Sequence, residues 1–215
     1  LKLIARDGTK AFYQGKIARK IDGFMRENGG LISMEDLRDY RAVVRKPVRG
    51  TYRGYEIVSM PPPSSGGVVL IHLLNLLERY PIGEWGHNTD QTVHTMAEAM
   101  RLAYADRSQW LGDVDFVDVP VSGLVSNAYA TKRARYMYKH YARPSRSIGP
   151  SGLVPKGDSE SSETTHFSVV DQWGNAVSNT YTLNFSYGNG MMVPGTGILL
   201  NNEMDDFSAK PGVPN

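Results

Sequence analysis

Apolar positions recur at two periods along this chain, and the change from one to the other divides it. Up to about residue 141 the spacing is mostly helical. Ser33 followed three places later by Asp36 makes a capping-box start, with Gly29 and Gly30 ending whatever precedes it, and predicts a helix from about Met34 to Tyr40. Val48, Tyr52, Tyr55, Ile57 and Val58 then alternate loosely between glycines, as short strands joined in a hairpin do. "PPPSSGG" at residues 61–67 favours extended backbone, and Ser64 or Ser65 can cap an apolar segment from Val68 to Leu77. That segment is hydrophobic on nearly every face and predicts a buried helix. Thr89 or Asp90 can cap a third helix, whose Val93, Met96, Ala97, Met100, Ala103 and Tyr104 keep helical spacing up to the breaker Gly112. A fourth, from about Asn127 to Tyr141, interleaves Lys132, Arg133, Arg135, Lys139 and His140 with Tyr129, Tyr136, Tyr138 and Tyr141.

From Ala142 to Glu163 the chain holds no aromatic residue and is rich in Gly, Ser and Pro, the composition of a loop or linker. From Thr164 onward the period is two. "TTHFSVV" and "AVSNTYTLN" flank the turn-rich "DQWGN", which predicts a hairpin with Gly174 and Asn175 able to take positive φ. A loop of three or five residues centred on Trp173 sets Thr164 opposite Thr182, with Thr180 and Asn184 on the same face of the second strand. A two-residue turn at Trp173 and Gly174 places Leu183 there instead. Cross-strand threonine pairs are ordinary sheet structure. The long polar stretch ending at Glu163 also fits a cut that leaves Thr164 as an N-terminal residue. Its α-amine, with an ordinary pKa of about 8, then stands beside its own hydroxyl, so base and nucleophile arrive together.

Bulk properties narrow the classes. A chain of 215 residues with 40% hydrophobic and 21% charged residues can bury a core of ordinary globular kind. Its formal net charge of +2 gives no general reason to expect a polyanionic partner. The most apolar run, "VVLIHLLNLL", is too short to span a bilayer. With no cysteine there is no disulfide, zinc-thiolate site or thiol nucleophile. A first residue Leu1 and a turn-like last stretch, "AKPGVPN", give the expectation of an internal piece of a longer polypeptide.

"MPPPSSGG", "AYADRSQWLGD", "TTHFSVVD", "TYTLN" and "TGILLNNEMDDFSAKPGVPN" resemble, in order, the gamma-glutamyltransferases (gamma-glutamyl transpeptidases, or glutathione hydrolases) of the N-terminal-nucleophile hydrolase superfamily, from about Leu31 to Asn215. The resemblance implies an α+β fold, part of an αββα sandwich, made as a precursor that cleaves itself between Glu163 and Thr164. Residues 1–163 then form the end of a helix-rich large-subunit region, with a flexible linker over about 142–163. Residues 164–215 begin a β-rich small-subunit region. Thr164 matches the nucleophile and Thr182 the threonine that holds its hydroxyl. Asn184, Glu203 and Asp206 match residues that bind the substrate's α-amino group. The implied reaction passes a gamma-glutamyl group from a donor such as glutathione to water or to an amino-acid or peptide acceptor, without cofactor or metal. The family's paired serines and glycines lie downstream of Asn215 and its carboxylate-binding arginine upstream of Leu1, so the piece by itself is expected to be inactive. The periplasm or the cell exterior is implied, though no residue here signals it.

Two alternatives stand beside this. An acylase of the same fold, acting on glutaryl-cephalosporin or poly-gamma-glutamate substrates, shares the nucleophile and differs in the pocket. The basic, tyrosine-rich helix is the feature of a different class, a nucleic-acid-binding module, although such a helix is commonly a solvated face with its aromatics turned inward. "NNEMDD" without the resemblance reads as a solvated turn or a hard-cation site. His72 and His94 read as core or boundary residues. His166 shares a face with Thr164. "PPPSSGG" lacks the Lys-Ser/Thr ending of a phosphate loop and reads as rigid structure.

Overall fold

A computed structural model of the chain describes residues 1–148 and 164–207. In chain order these form α1 (Lys2–Asp7), α2 (Thr9–Tyr13), α3 (Lys16–Asn28), α4 (Met34–Asp39), β1 (Val48–Tyr52), β2 (Tyr55–Ser59), α5 (Gly66–Leu77), α6 (Ile82–Trp85), α7 (Asp90–Trp110), α8 (Val121–Leu124), α9 (Asn127–Ala134), β3 (Thr165–Val170), β4 (Ala176–Tyr181), β5 (Met192–Val193) and β6 (Ile198–Leu199). The described strands make three two-stranded antiparallel sheets, β1 with β2, β3 with β4 and β5 with β6. The mixed helix and strand class is the one the sequence implied. The contacts divide the chain into two compact units, one of Leu1–Val43 with Ser159–Phe207 and the other mainly of Val44–Asp158.

In the first unit, α3 turns one stripe inward, Ile17, Ala18, Ile21 and Met25, as helical spacing requires. Leu37 of α4 and Val193 of β5 close on it, with Ile198 and Leu200 packed alongside. Gly29, at φ 70°, ends α3 in the left-handed conformation. Ser33 and Asp36 form the predicted capping box: Ser33 Oγ accepts from Asp36 N at 3.2 Å and Asp36 Oδ2 accepts from Ser33 N at 2.8 Å. The Ser33 hydroxyl and then its amide hold the Asp36 carboxyl below its ordinary range. The buried Asp22 of α3 accepts from Met34 N at 3.1 Å, tying the two helices together. Lys20 reaches the carbonyl of Gly195 at 3.0 Å. Residues early in the chain are therefore packed against residues that follow Thr164.

In the second unit, α5 is buried through Val68, Ile71, His72, Asn75, Leu76 and Leu77 and packs on α7, α9 and the β1–β2 hairpin. Helix α7 starts at Thr89, whose Oγ1 accepts from Thr92 N at 3.3 Å. Helix α9 ends at Ala134, not near Tyr141 as the periodicity indicated. There the chain tightens into turns, Tyr136 N bonding Arg133 O and Met137 N bonding Ala134 O, which sends Met137 into the core beside Leu76 and Leu102. Nor is this stretch a uniform cationic face. Arg133 turns inward to Asp106 Oδ2 at 3.0 Å, and Asp106 is only 3% exposed. Tyr136, Tyr138 and Tyr141 stay exposed instead of turning inward, with Arg143 stacked on the first two and Tyr138 on Tyr141. His72 is buried, its Nε2 3.1 Å from Asp106 Oδ2 though not aligned for a hydrogen bond. His94 Nε2 lies 2.7 Å from Tyr138 O. Residues 142–148 lie against α7, with Arg101 bonded to Arg143 O and Ile148 buried. The remainder of the predicted linker, Glu163 included, lies outside the described residues.

Candidate active site

Asp171 sets the geometry of the β3–β4 hairpin. Its carboxylate accepts from Trp173 N and Asn175 N, both at 2.9 Å, and from Asn175 Nδ2 at 2.7 Å, while Asp171 N donates to Asn175 O at 3.0 Å. The Asn175 side chain first, then the amides of Asn175, Trp173 and Gly174, hold the Asp171 carboxyl below its usual range. Gly174, at φ 82°, supplies the one left-handed residue the loop needs; Asn175 is not left-handed. The result is a five-residue loop and the register Thr165↔Tyr181, His166↔Thr180, Phe167↔Asn179, Ser168↔Ser178. Carried one rung further, this register sets Thr164 against Thr182, so the odd-loop alternative is the one adopted and Leu183 is not opposite Thr164.

Period two then sorts the side chains. Thr164, His166 and Ser168 share a face with Ser178, Thr180 and Thr182. His166 Nδ1 lies 2.7 Å from Thr180 Oγ1, and its Nε2 lies 3.3 Å from the hydroxyls of Ser168 and Ser178. The opposite face carries Phe167, Val169, Val177 and Tyr181, each about half exposed. One side of the hairpin is thus hydroxyl-rich, and the other is mainly apolar, with Thr165 and Asn179 among its apolar residues.

Just past β4 the chain turns sharply. Thr182 Oγ1 accepts from Asn184 N at 2.9 Å, and Asn184 is a buried residue at φ 72°. Asn tolerates this left-handed conformation better than other non-glycine residues. The Asn184 amide donates through Nδ2 to Asn202 O at 3.2 Å. Asn202 Oδ1 accepts from Phe185 N at 3.1 Å, and Asn202 N donates to Leu183 O at 3.1 Å.

Asn202 immediately precedes a 3-10 turn over Glu203–Asp206. Asn201 Oδ1 accepts from Glu203 N at 2.9 Å, and Asn202 O accepts from Asp205 N at 3.0 Å. Burial, then the neighbouring Asp206 carboxylate, pushes the Glu203 carboxyl above its usual range. Thr182, Asn184 and the acidic turn carrying Glu203 and Asp206 are thereby joined into one small substructure. Among the described residues no group of three or more His, Cys, Asp or Glu side chains is arranged to hold a metal ion. Sequence reasoning passed over Asp171, Asn201 and Asn202. For Asp171 and Asn201 the signal was present, since Asn and Asp before tight turns bind backbone amides two residues on, whereas the Asn202 side chain bonds the distant Phe185.

The sequence model described as Gamma-glutamyltranspeptidase matches residues 1–215. The chain belongs to this family. Among its relatives is a glutathione hydrolase proenzyme from Escherichia coli, 52% identical over 215 residues, which are 100% of this chain and 37% of that protein. The chain therefore spans little more than a third of that relative. Among solved structures, the gamma-glutamyltranspeptidase of Helicobacter pylori is 46% identical with a TM-score of 0.68, over 73% of this chain and 45% of that one. A cephalosporin acylase from Bacillus halodurans is 30% identical with a TM-score of 0.79, over 99% of this chain and 36% of that one. These neighbours place the fold among the N-terminal-nucleophile hydrolases.

Proposed function

We propose that the full-length protein is a gamma-glutamyltransferase and glutathione hydrolase whose nucleophile is the Thr164 hydroxyl. The observation that supports this reading is the hairpin register, whose last pair is Thr165↔Tyr181, so that continuing it by one residue brings Thr182 toward Thr164, exposed just before β3. The precursor first cuts itself. Thr164 Oγ attacks the Glu163 carbonyl, the acyl group moves from nitrogen to oxygen, and water opens the ester, leaving a Glu163 carboxylate and a free Thr164 amine. That amine then accepts the hydroxyl proton as Thr164 Oγ attacks the gamma-carbonyl of a donor such as glutathione. The leaving amine departs with a proton, and the acyl-enzyme passes to water or to an acceptor amine. Thr182 orients the nucleophile's hydroxyl.

The substrate's α-ammonium group belongs with Asn184, Glu203 and Asp206. A bound cation needs opposing charge and acceptors, and the turn after Asn202, whose main-chain oxygen takes the Asn184 amide, carries the two carboxylates Glu203 and Asp206. The core in which Ile17, Ile21, Met25 and Leu37 meet Val193 supports a large and small subunit that stay associated after the cut.

Intact mass and N-terminal sequencing of the full-length protein test the reading. The expected result is a new terminus beginning Thr-Thr-His and turnover of a gamma-glutamyl anilide, both lost in Thr164→Ala. A stable uncut product, or normal turnover by Thr164→Ala, overturns it. The likeness to a cephalosporin acylase gives the second reading its weight. Preference for a glutaryl anilide over the gamma-glutamyl one decides for the acylase.

A further inference from the structure

Asn184, Glu203 and Asp206 lie on two segments with no regular secondary structure pairing them directly, and Asn202 fastens one segment to the other. Asn202 makes three hydrogen bonds to three consecutive residues of the 183–185 turn: its N donates to Leu183 O, its O accepts from Asn184 Nδ2, and its Oδ1 accepts from Phe185 N. The same carbonyl oxygen also accepts from Asp205 N, the bond that starts the acidic turn. One acceptor therefore takes both the Asn184 side-chain amide and a backbone amide of the acidic turn.

We infer that Asn202 is a positioning residue for recognition of the donor's α-amine, acting through Asn184 and not by touching the substrate. This rests on the reading of Asn184, Glu203 and Asp206 as the ammonium pocket. Its main-chain bonds survive any side-chain replacement, so the side chain's own share is the acceptor for Phe185 N. Without that acceptor the Phe185 amide loses its protein partner at the residue following the left-handed Asn184, and the 183–185 turn is held less firmly beside the acidic turn. The three bonds of Asn202 run to residues 183–185 and none to Thr164 or Thr182, and Thr182 is reached only through its bond from Asn184 N, so the larger effect falls on binding.

The test uses the full-length processed enzyme. Asn202→Ala is expected to raise KM for a gamma-glutamyl anilide about 5- to 10-fold, the loss of one hydrogen bond, while kcat stays within about twofold. Inhibition by L-glutamate weakens by the same factor, whereas inhibition by glutarate, which lacks the amine, is unchanged. Asn202→Asp keeps an acceptor oxygen toward Phe185 N and restores KM to the wild-type value or below. If Asn202→Ala does not mature to the Thr-Thr-His terminus, Asn202→Ser, whose hydroxyl falls short of Phe185 N, replaces it in the same measurements. An unchanged KM overturns the inference, as does an equal loss for L-glutamate and glutarate, which marks a merely structural residue. Wild-type enzyme that binds glutarate in preference to L-glutamate removes the ammonium pocket itself, and the inference with it.

Discussion

Gly66 and Gly67 stand side by side at the start of α5, and their surroundings give alanine opposite effects at the two positions. A Cβ on Gly67 meets Met60 O at 2.1 Å, Val48 Cγ2 at 2.6 Å and Met60 N at 2.9 Å. Ordinary carbon contacts lie near 3.5 Å, so the overlap exceeds roughly 1 Å. Two of the three atoms are backbone, so relief requires shifting the helix start away from the chain that follows β2. Overpacking of this kind costs about 1–3 kcal/mol, against a gain of about 0.4–1 kcal/mol from the stiffer unfolded chain. Gly67→Ala should therefore destabilise by about 1–2 kcal/mol. A Cβ on Gly66 has only Ser64 Oγ at 3.5 Å, an ordinary contact, and Gly66→Ala should stabilise by up to about 1 kcal/mol. Urea denaturation of the full-length protein, wild type and both variants in parallel, reads the difference. A Gly67→Ala protein as stable as wild type, or a shift in the same direction for both, refutes this account of "PPPSSGG" as close-packed structure.

Other consequences follow from the same geometry. Asp106→Ala strands Arg133 and His72 in the interior, and calorimetry or denaturation should show a loss of about 3–5 kcal/mol, the usual cost of breaking a buried pair. Val193→Asp buries an unpaired charge between the early helices and the segment after Thr164, and the two processed pieces should no longer co-purify. For Glu203 the folded carboxyl is raised above its unfolded value. Its contribution to stability is full below the unfolded pKa and is lost as pH rises through the folded one. Donor binding runs the other way, because an ammonium needs the ionised form. KM for a gamma-glutamyl anilide should rise on acidification, starting at a higher pH than an unperturbed glutamate would give, and Glu203→Gln should flatten that rise.

How much of this was legible depended on how local each cause is. Ser33 with Asp36, and Thr89 before α7, are caps written within four residues, and the structure forms both. A hairpin was recognisable from the turn-rich "DQWGN", but its loop length was not, so Thr182 and Leu183 both remained open as the residue opposite Thr164. The structure decided it through the Asp171 carboxylate, which fixes a five-residue loop, after which strand register is arithmetic. Periodicity failed where distant packing took over. The end of α9 is decided by where Met137 and the Arg–Tyr stacks find partners, and helical spacing in the sequence carries no record of that.

The sequence by itself determined the residue types and some of the short-range geometry: a hairpin after Thr164, an acidic turn after two asparagines, and the capped starts of α4 and α7. Tertiary structure alone decided which of these became neighbours. That Asn202 fastens residues 183–185, and that Val193 seats against Ile17 and Ile21, comes from contacts between residues far apart in the chain, which form only when burial offsets the entropy of closing such loops.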